Sequence, residues 1–297
     1  MIKNNKKLSF FNKKSKADVI DNLINKKLKF YIPKTYSFTV GQWNNKKKLI
    51  IKNINKIFKN KKNIVIRSSS RNEDSLNSSN AGKFLSLLNI PMIDKKIMMS
   101  INLVIKSYKK EKKNEDQVFI QEMISNVSVS GVLFTKDVDT GLNYYVINYD
   151  DITGKTDTVT SGHGVHSNRT LFIFKKFGEN IKSPRFKKLI NCVIDLEKTI
   201  GNNEIDIEFA ITKNLKPYLF QVRPITTIKK WKKVSIKKHE KYLLSAEKKL
   251  KKIFKKSKNI LGKNTVLGQM PDWNPVEMLG KYPSELSYSL YSKLITD

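Results

Sequence analysis

Four polar side chains alternate with apolar residues along two neighbouring segments of the sequence. Asp206 and Glu208 are separated by one apolar residue, and Gln221 and Arg223 are spaced in the same way. Successive side chains of a β-strand point to opposite faces, so each pair shares one face of its strand. A tight turn centred near Asn214 and Leu215 would place Asp206 opposite Arg223 and Glu208 opposite Gln221. The sequence therefore predicts a hairpin with four polar groups on one face.

Two carboxylates, an amide oxygen and a guanidinium on one sheet face suit a site for a magnesium-bound nucleotide. Mg²⁺ prefers oxygen ligands together with substrate phosphates, and an arginine neutralises charge on a phosphoryl group during transfer. The same pattern is also typical of an ordinary antiparallel hairpin with one solvated face and a cross-strand ion pair. The hairpin alone leaves both interpretations open.

A second group of residues suited to phosphate binding follows the apolar run at 64–66. Arg67 ends this run, three consecutive serines come next, and Gly82 closes the polar segment. A guanidinium binds phosphate through paired hydrogen bonds, and a glycine lets the backbone approach a ligand closely. The segment therefore suits a triphosphate, and it fits a surface turn equally well.

The segments around these motifs predict an α+β fold, with enough chain for two or three packed lobes. β-Branched and aromatic residues indicate strands, and apolar residues at helical spacing indicate helices. Ser183 and Pro184 mark the start of one helix, and Gly201 marks its end. The expected strands cover 63–67, 118–124, 130–135, 144–149 and 171–175, and the expected helices cover 16–28, 43–58, 93–113, 184–200 and a stretch within 229–258.

The formal net charge of +32 over 297 residues suggests, taken alone, a polyanionic partner such as nucleic acid. Only five of the 58 basic residues are arginines, however, and the lysines are scattered along the whole chain. Lysines distributed in this way are typical of solvated surfaces, so we expect no specific nucleic-acid site. Hydrophobic residues make up 39% of the chain, which argues against a disordered protein.

Cysteine content and the N-terminal sequence bear on the cellular compartment. The single cysteine, Cys192, excludes an intrachain disulfide and a multi-cysteine metal cluster. The N-terminal residues are basic but lack an apolar run long enough for a signal peptide, and no segment of about 20 apolar residues occurs. We therefore expect a cytoplasmic protein without a membrane partner.

Four ordered motifs over residues 64–226 resemble the N-terminal ATP-grasp-type domain of phosphoenolpyruvate synthase, pyruvate phosphate dikinase, the glucan water dikinases and rifampicin phosphotransferase. The first reads VIRSSSRNEDSLNSSNAGKFLSLLNI from Val65, and Gln121 begins the pattern glutamine, any residue, methionine. SGVLFTKDVDTG from Ser130 is close to a third family segment. The last motif joins aspartate-isoleucine-glutamate at 206–208 to a later QVRPIT. The resemblance implies an ATP-grasp-type α+β domain of two lobes, followed by a helical connector.

Carried over residue by residue, the resemblance implies roles for the hairpin and for the first arginine. Arg67 and Arg223 would hold the phosphates of ATP. Glu208 and Gln221 would ligate Mg²⁺. Asp206 would act as a further catalytic acid. The catalytic residues implied in this way are therefore the two arginines and the aspartate.

Other positions are implied as ATP contacts by the same resemblance. Gly82 and Ser86 would lie against the nucleotide, with serine at a position where relatives often have threonine. Gln121 would lie near the adenine. Lys16 corresponds to a phosphate-binding lysine near the N-terminus of relatives. The glycine pair that usually precedes this lysine is replaced here, so Lys16 is also consistent with an ordinary residue at the start of a helix.

The resemblance also divides the chain and implies a partner. The ATP-grasp-type domain would cover 1–228, with lobes of roughly 1–115 and 116–228, and a basic helical connector would cover 229–297. In this family a histidine on a separate domain takes a phosphoryl group from ATP and passes it to pyruvate, water or another acceptor. None of the three histidines of this chain lies in the sequence setting of that domain. We therefore expect a phosphohistidine domain in cis, within a longer protein, or in trans.

Two other functions stay open on the sequence alone. A degenerate pseudoenzyme would bind ATP and regulate a partner without transferring a phosphoryl group. A noncatalytic protein would bind polyanions, including nucleic acid, through its lysines. ATP binding that depends on Arg67 and Glu208 would be expected of the phosphotransferase and of the pseudoenzyme. It would not be expected of the polyanion-binding protein.

Overall fold

Helices and antiparallel strands are the elements of the described part of the chain, which confirms the expected α+β class. The computed structural model describes residues 10–12, 14–70, 85–108, 114–154, 169–225, 235–254, 279–280 and 282–296. The chain divides into one unit of Met1–Lys233 and another of Val234–Asp297. The division of the first unit into lobes near residue 115 stays a prediction.

The first unit contains two sheets and the helices that cover them. Its strands are β1 (Thr35–Thr39), β2 (Asn63–Ser69), β3 (Ser86–Pro91), β4 (Gln117–Glu122), β5 (Val127–Phe134), β6 (Tyr144–Asp150), β7 (Arg169–Phe174), β8 (Ile205–Thr212) and β9 (Pro217–Pro224). Its helices are α1 (Lys16–Ile24), α2 (Val40–Ile57), α3 (Asp94–Ser107) and α4 (Pro184–Ile200), with a 3₁₀ turn at Lys175–Asn180.

The first sheet has the strand order β1-β4-β2-β3, and its paired strands are antiparallel. Ile64, Ile66 and Ile120 belong to a core that includes the buried side chains of α2 and α3. Phe119 instead belongs to the core of the second sheet. Arg67 lies directly opposite Phe119 in the β2–β4 ladder, and paired residues share a face. The first sheet therefore points Arg67 toward the second sheet.

The second sheet has the order β7-β6-β5-β8-β9, again with antiparallel pairing. One of its faces packs against α4, where Ile207 and Phe209 share a buried core with Leu189 and Val193. Ile20 of α1 is fully buried in the same core, although α1 precedes all of the described strands in sequence. Burial of this apolar face leaves the polar face of β8 and β9 for the candidate site.

The β8–β9 hairpin has the register that the sequence predicts. Asp206 pairs with Arg223 and Glu208 pairs with Gln221. The turn includes Leu215 in a left-handed conformation, with φ of 59°. The ladder is irregular between Glu208 and Phe209, which leaves one extra residue on β9 at this point. The four polar residues nevertheless stay in the predicted pairs.

Local sequence explains both ends of α4, with one difference from expectation. Pro184 occupies the first turn, and Gly201 adopts a left-handed backbone with φ of 71°. The N–H of this glycine donates to the carbonyl oxygen of Glu197, which satisfies one of the last helical acceptors. Ser183 precedes the helix as predicted, but its side chain makes no capping hydrogen bond with the described part of α4.

Gly131 in β5 lies where the neighbouring strand approaches closely. A Cβ atom at this position would lie 2.9 Å from the Cα of Tyr149 and closer still to the carbonyl oxygen of Asn148. Backbone atoms of a central strand cannot move aside as a flexible side chain can, so only glycine fits. The glycine therefore lets β5 pair closely with β6 on one side while it pairs with β8 on the other.

The sequence pattern did not predict β1 and β3. Both lie at edges of the first sheet, where only one side of a strand is paired. β1 has five residues, and the residues of β3 are exposed or half-buried. A short or half-exposed edge strand lacks the continuous apolar run by which a central strand is identified.

The second unit contains α5 (Ile236–Ile253), α6 (Glu285–Tyr291) and a π-helical turn at Ser292–Thr296. The expected basic helix is therefore present, within the stretch that the sequence indicated. None of the residues of α5 is buried, and its N-cap Ser235 accepts a hydrogen bond from the N–H of Lys238. Among the described helices, none combines the length and apolarity that crossing a membrane requires.

Candidate functional site

An ion pair between the two sheets forms the centre of the candidate site. Nη2 of Arg67, on β2, donates to Oε2 of Glu208, on β8, at 3.0 Å. The side chains are only 13% and 12% exposed. The pair thus brings together two residues that the sequence placed in separate motifs, 141 positions apart.

A second ion pair lies within the hairpin. Nε and Nη2 of Arg223 both donate to Oδ2 of Asp206, at 3.1 and 2.6 Å. The side chains are 22% and 11% exposed. Hydrogen bonds between ionised groups are shorter and stronger than neutral ones, so this geometry holds both side chains on the polar face of the sheet.

Buried donors in this cluster have no hydrogen-bond partner among the described residues. They are Nε and Nη1 of Arg67 and Nε2 of Gln221. A buried polar group without a partner costs about 1–3 kcal/mol, so native proteins retain few of them. Phosphate oxygens are acceptors of the kind that a guanidinium prefers. The unused donors therefore fit an anionic, oxygen-rich ligand.

The hairpin also offers oxygen ligands that fit Mg²⁺. Glu208 contributes a carboxylate, and the paired Gln221 contributes an amide whose oxygen is an acceptor. Mg²⁺ is commonly held by one or two carboxylates together with substrate phosphates and water. The oxygen atoms of these two side chains match that requirement when a nucleotide supplies the remaining oxygen ligands.

Burial and neighbouring cations act in opposite directions on Glu208. Burial disfavours the charged form and would raise the pKa of the carboxyl group, which is the largest single effect. The charges of Arg67, Arg223 and Lys16, with the hydrogen bond from Arg67, hold the pKa below its ordinary value of 4.5. Glu208 is therefore ionised at neutral pH, as a metal ligand must be.

Lys16 is positioned beside this cluster by the start of α1. The helix begins with a capping box in which Ser15 and Asp18 exchange hydrogen bonds. The N–H of Ala17 donates to Oγ of Ser69 at the end of β2, at 2.9 Å. This contact fixes the first turn of α1 against the strand that carries the first arginine of the site, close enough for Lys16 to affect Glu208 electrostatically.

Sequence reasoning missed the residues that hold this helix start. Nε2 of Gln117 donates to Oδ1 of Asp18 at 3.1 Å, and the N–H of Ser69 donates to the hydroxyl of Tyr108 at 3.0 Å. The Tyr108 hydroxyl in turn donates to the carbonyl oxygen of Gln117. The partners come from α1, β2, the C-cap of α3 and β4, so no local spacing could have indicated them.

The remaining predicted ATP contacts differ in how the structure places them. Nε2 of Gln121 donates to the carbonyl oxygen of Phe220 at 3.2 Å, next to the hairpin residue Gln221. Ser86 is exposed on β3 and pairs with Arg67 in the ladder, so the two share a face. Gly82 lies outside the described residues. The predicted roles of all three stay predictions.

The geometry thus joins two sheets through charged residues drawn from the first and last sequence motifs. Residues 44–162 match the family described as pyruvate phosphate dikinase, AMP/ATP-binding domain. The match confirms the family resemblance that the motifs indicated. It includes Arg67 and Gln121, whereas the hairpin residues lie beyond its end. No curated protein sequence matches the chain.

Solved structures with partial similarity include amino-acid ligases and a macrocyclase. D-alanine-D-alanine ligase from Coxiella burnetii is 9% identical, with a TM-score of 0.42 over 72% of this chain and 49% of that one. VanG D-Ala:D-Ser ligase from Enterococcus faecalis is 12% identical, with a TM-score of 0.38 over 73% and 55%. The chain thus spans about half the length of these structures. Overlaps of this extent assign neither substrate nor activity.

The depressed pKa of Glu208 predicts a specific loss of stability in acid. A group whose pKa is lower in the folded chain contributes stability above the unfolded pKa, and this contribution is lost as pH falls through the folded value. Below the ordinary pKa of 4.5, the free energy of unfolding of the wild type should therefore fall more steeply than that of Glu208→Gln. Urea denaturation at a series of pH values, followed by circular dichroism, measures both slopes.

The pH dependence of the free energy of unfolding also includes a range in which the two proteins should not differ in slope. Well above the ordinary pKa, the carboxyl group is ionised in both the folded and the unfolded chain, so the two proteins should show parallel pH dependence there. Equal slopes throughout the acid range would contradict the argument that cations hold Glu208 ionised.

Proposed function

We propose that the chain binds ATP with Mg²⁺ between the two sheets and is the ATP-cleaving half of a phosphotransferase resembling phosphoenolpyruvate synthase and pyruvate phosphate dikinase. The observation that carries the proposal is the ion pair from Arg67 to Glu208, with unused buried donors beside it. The match of residues 44–162 to an AMP/ATP-binding domain also supports the proposal. The two sheets would enclose the nucleotide in the manner of an ATP-grasp domain.

The proposed roles follow from the chemistry of each side chain. Arg67 and Arg223 would bind phosphate oxygens, because a planar guanidinium matches them with paired hydrogen bonds. Glu208 and Gln221 would hold Mg²⁺ through oxygen atoms, and Asp206 would orient Arg223 through their ion pair. When bound, Mg²⁺ would neutralise part of the phosphate charge.

Lys16 would add a third cation to the proposed phosphate site. It begins α1, and its charge acts on Glu208 together with the two arginines. Phosphoryl transfer requires little covalent chemistry from a protein, so catalysis depends on positioning and on charge stabilisation. Side chains held by ion pairs and by the α1 contacts suit that task because they need little rearrangement.

The proposed acceptor is a histidine on a separate phosphohistidine domain, present in cis in a longer protein or supplied in trans. That domain would pass the phosphoryl group to pyruvate or to another acceptor. The residues that choose the final acceptor would belong to the other domains. Because ATP is available in the cytoplasm, the proposal also places the protein there.

Removal of either arginine should weaken ATP binding. Each guanidinium would lose charge-assisted hydrogen bonds to phosphate, worth about 1.5–3 kcal/mol, so we expect Arg67→Ala and Arg223→Ala to bind Mg-ATP roughly 10- to 100-fold more weakly. Isothermal titration calorimetry of the wild type and both variants with Mg-ATP measures the three dissociation constants.

The matched control is Arg169→Ala. Arg169 lies on β7, is 57% exposed, and pairs with Asp151 away from the hairpin. The Arg169→Ala variant should bind Mg-ATP with the same dissociation constant as the wild type. Unchanged affinity in both site variants would refute the nucleotide site, and salt-sensitive RNA binding without ATP binding would favour a polyanion-binding protein instead.

Phosphoryl transfer to histidine is tested separately from binding. We expect ³²P from ATP labelled at the β or γ phosphorus to appear on a phosphohistidine domain supplied as a separate polypeptide. The label should be acid-labile, as phosphohistidine is, and absent when the acceptor histidine of that domain is replaced by alanine. Saturable ATP binding without any label on the domain would instead support an ATP-binding pseudoenzyme.

A further inference from the structure

Helix α5 combines an exposed apolar face with a densely basic one. The structure describes all 18 of its residues, and none of them is buried. Seven of the 18 are lysines and two are glutamates, whereas lysines and arginines together make up 58 of the 297 residues of the chain. We propose that α5 lies on the surface of an anionic lipid membrane, with its apolar face in the bilayer and its lysines at the headgroups.

The apolar face is a band that runs along the helix. With about 3.6 residues per turn, side chains three, four or seven positions apart lie on the same side. His239 also lies within the band, and Leu243 is half-buried. The other large side chains of the band are between 41% and 60% exposed. Its apolar members are Ile236, Tyr242, Leu243, Ala246, Leu250 and Ile253.

Lysines cover the opposite side of the helix. Four of them are spaced by four or seven positions, so they form a row that lies farthest from the apolar band. Glu247 is paired with Lys251 at 2.6 Å, which offsets the charge of this acid. The helix therefore presents a strong excess of positive charge. The lysines of the row are Lys237, Lys241, Lys248 and Lys252.

Tyr242 lies at the border between the two faces. Nζ of Lys238 is 5.9 Å from the centre of its ring, and the tyrosine is 60% exposed. Tyrosine is enriched at the boundary between hydrocarbon and water, because its ring is apolar and its hydroxyl group is polar. A lysine beside it can bury its methylene groups and keep its ammonium group at the headgroups. This arrangement suits a helix that lies in the plane of a bilayer.

An anionic membrane matches both faces of α5 at once. Insertion of the apolar band removes it from water, and anionic headgroups attract the lysines. A helix with so many charges lies on a bilayer and does not cross it, in agreement with the hydropathy of the described helices. The expectation of no membrane partner rested on the lack of a long apolar segment, which a helix in the interface does not need.

A second copy of α5 fits this surface less well. Ile236, Leu243 and Leu250 recur every seven residues, as in a coiled coil, but 18 residues make fewer than three full heptads. A coiled coil is indicated by a repeat sustained over about three or four heptads. Two copies would also bring their lysines together without enough acids to pair with them, and like charges repel.

Nucleic acids and proteins also match α5 less completely. A nucleic acid would bind the lysines through its phosphates and leave the apolar band in water. A protein groove that covered the apolar band would contact one side of the helix and leave the opposite row of lysines in water. Headgroups instead surround a helix that lies among them, so they can reach the lysines as well.

Flotation of the full chain with lipid vesicles, at a series of lipid concentrations, measures its partition coefficient. We expect strong binding to phosphatidylcholine vesicles that contain about 30% phosphatidylglycerol, and weak binding to phosphatidylcholine alone. The overall charge of +32 would also cause some adsorption to anionic vesicles. Two pairs of variants separate the contribution of α5 from that general effect.

The first pair tests the apolar band. Leu250→Ala should lower the partition coefficient about 5- to 50-fold, because it removes apolar surface that the bilayer would bury. The matched control is Leu244→Ala. Leu244 is 51% exposed on the same helix but lies about 100° around it from Leu243, on the side of the lysines. The control should keep the wild-type partition coefficient, and circular dichroism checks that both variants retain the same helix content.

The second pair tests the lysines. Replacing Lys241 and Lys248 together by glutamine should lower the partition coefficient roughly 10- to 30-fold, because each lysine near an anionic surface adds to the binding. The matched control replaces Lys95 and Lys96, which are exposed on α3, by glutamine and so removes the same charge. This control should weaken binding much less. The difference between the two variants should shrink as salt is raised, because salt screens exposed charges.

Each result of these measurements either supports the inference or overturns it. A wild-type chain that does not bind anionic vesicles would overturn it, as would equal partition coefficients within either pair of variants. RNA binding that depends on Lys241 and Lys248 but not on Leu250, without vesicle binding, would assign α5 to nucleic acid instead. The vesicle measurements involve no nucleotide, so their results do not bear on the proposed function.

Discussion

The buried ion pair between Arg67 and Glu208 constrains the relation between the two sheets. Removing two charges from water is costly, and only close pairing with further hydrogen bonds offsets that cost. Loss of one partner from such a pair typically costs about 3–5 kcal/mol, because the other charge remains buried. β2 and β8 must therefore stay at a separation that keeps the ion pair together. This fixed separation also determines where the polar side chains around the ion pair lie.

The elements around the pair limit how far it can move. The β8–β9 ladder fixes Glu208 beside Gln221 and places the second ion pair next to the first. On the other side, α1 packs into the core of the second sheet while its first turn bonds to Ser69 of β2. A chain segment that contacts both sheets thus holds Lys16 beside the ion pair.

Local features of this fold could be predicted from sequence, and features that depend on distant contacts could not. Alternation of polar and apolar residues was enough for the register of Asp206 with Arg223, because the hairpin is a local structure. The pairing of Arg67 with Glu208 spans 141 positions, and only the resemblance of the separate motifs to one family placed both residues in one site. The edge strands β1 and β3 were missed because neither has a continuous buried face.

Arginines and lysines occupy different environments in the described part of the chain. Each described arginine, whether Arg67, Arg169, Arg185 or Arg223, forms an ion pair with a carboxylate, as expected for a planar donor with fixed geometry. The lysines of α5 lie on a helix with no buried residue, and the ion pair of Lys251 with Glu247 on that helix is exposed. The high net charge is therefore a poor guide to the site, and the few arginines are a better one.

The central claim is that the ion-paired face between the sheets receives the phosphates and the metal. A crystal structure of the chain with Mg²⁺ and a non-hydrolysable ATP analogue tests it most directly. The account predicts phosphate oxygens within hydrogen-bond distance of Arg67 and Arg223, with Mg²⁺ bound to oxygens of Glu208 and Gln221. Nucleotide bound elsewhere, with both ion pairs intact and no metal on the hairpin, would contradict it.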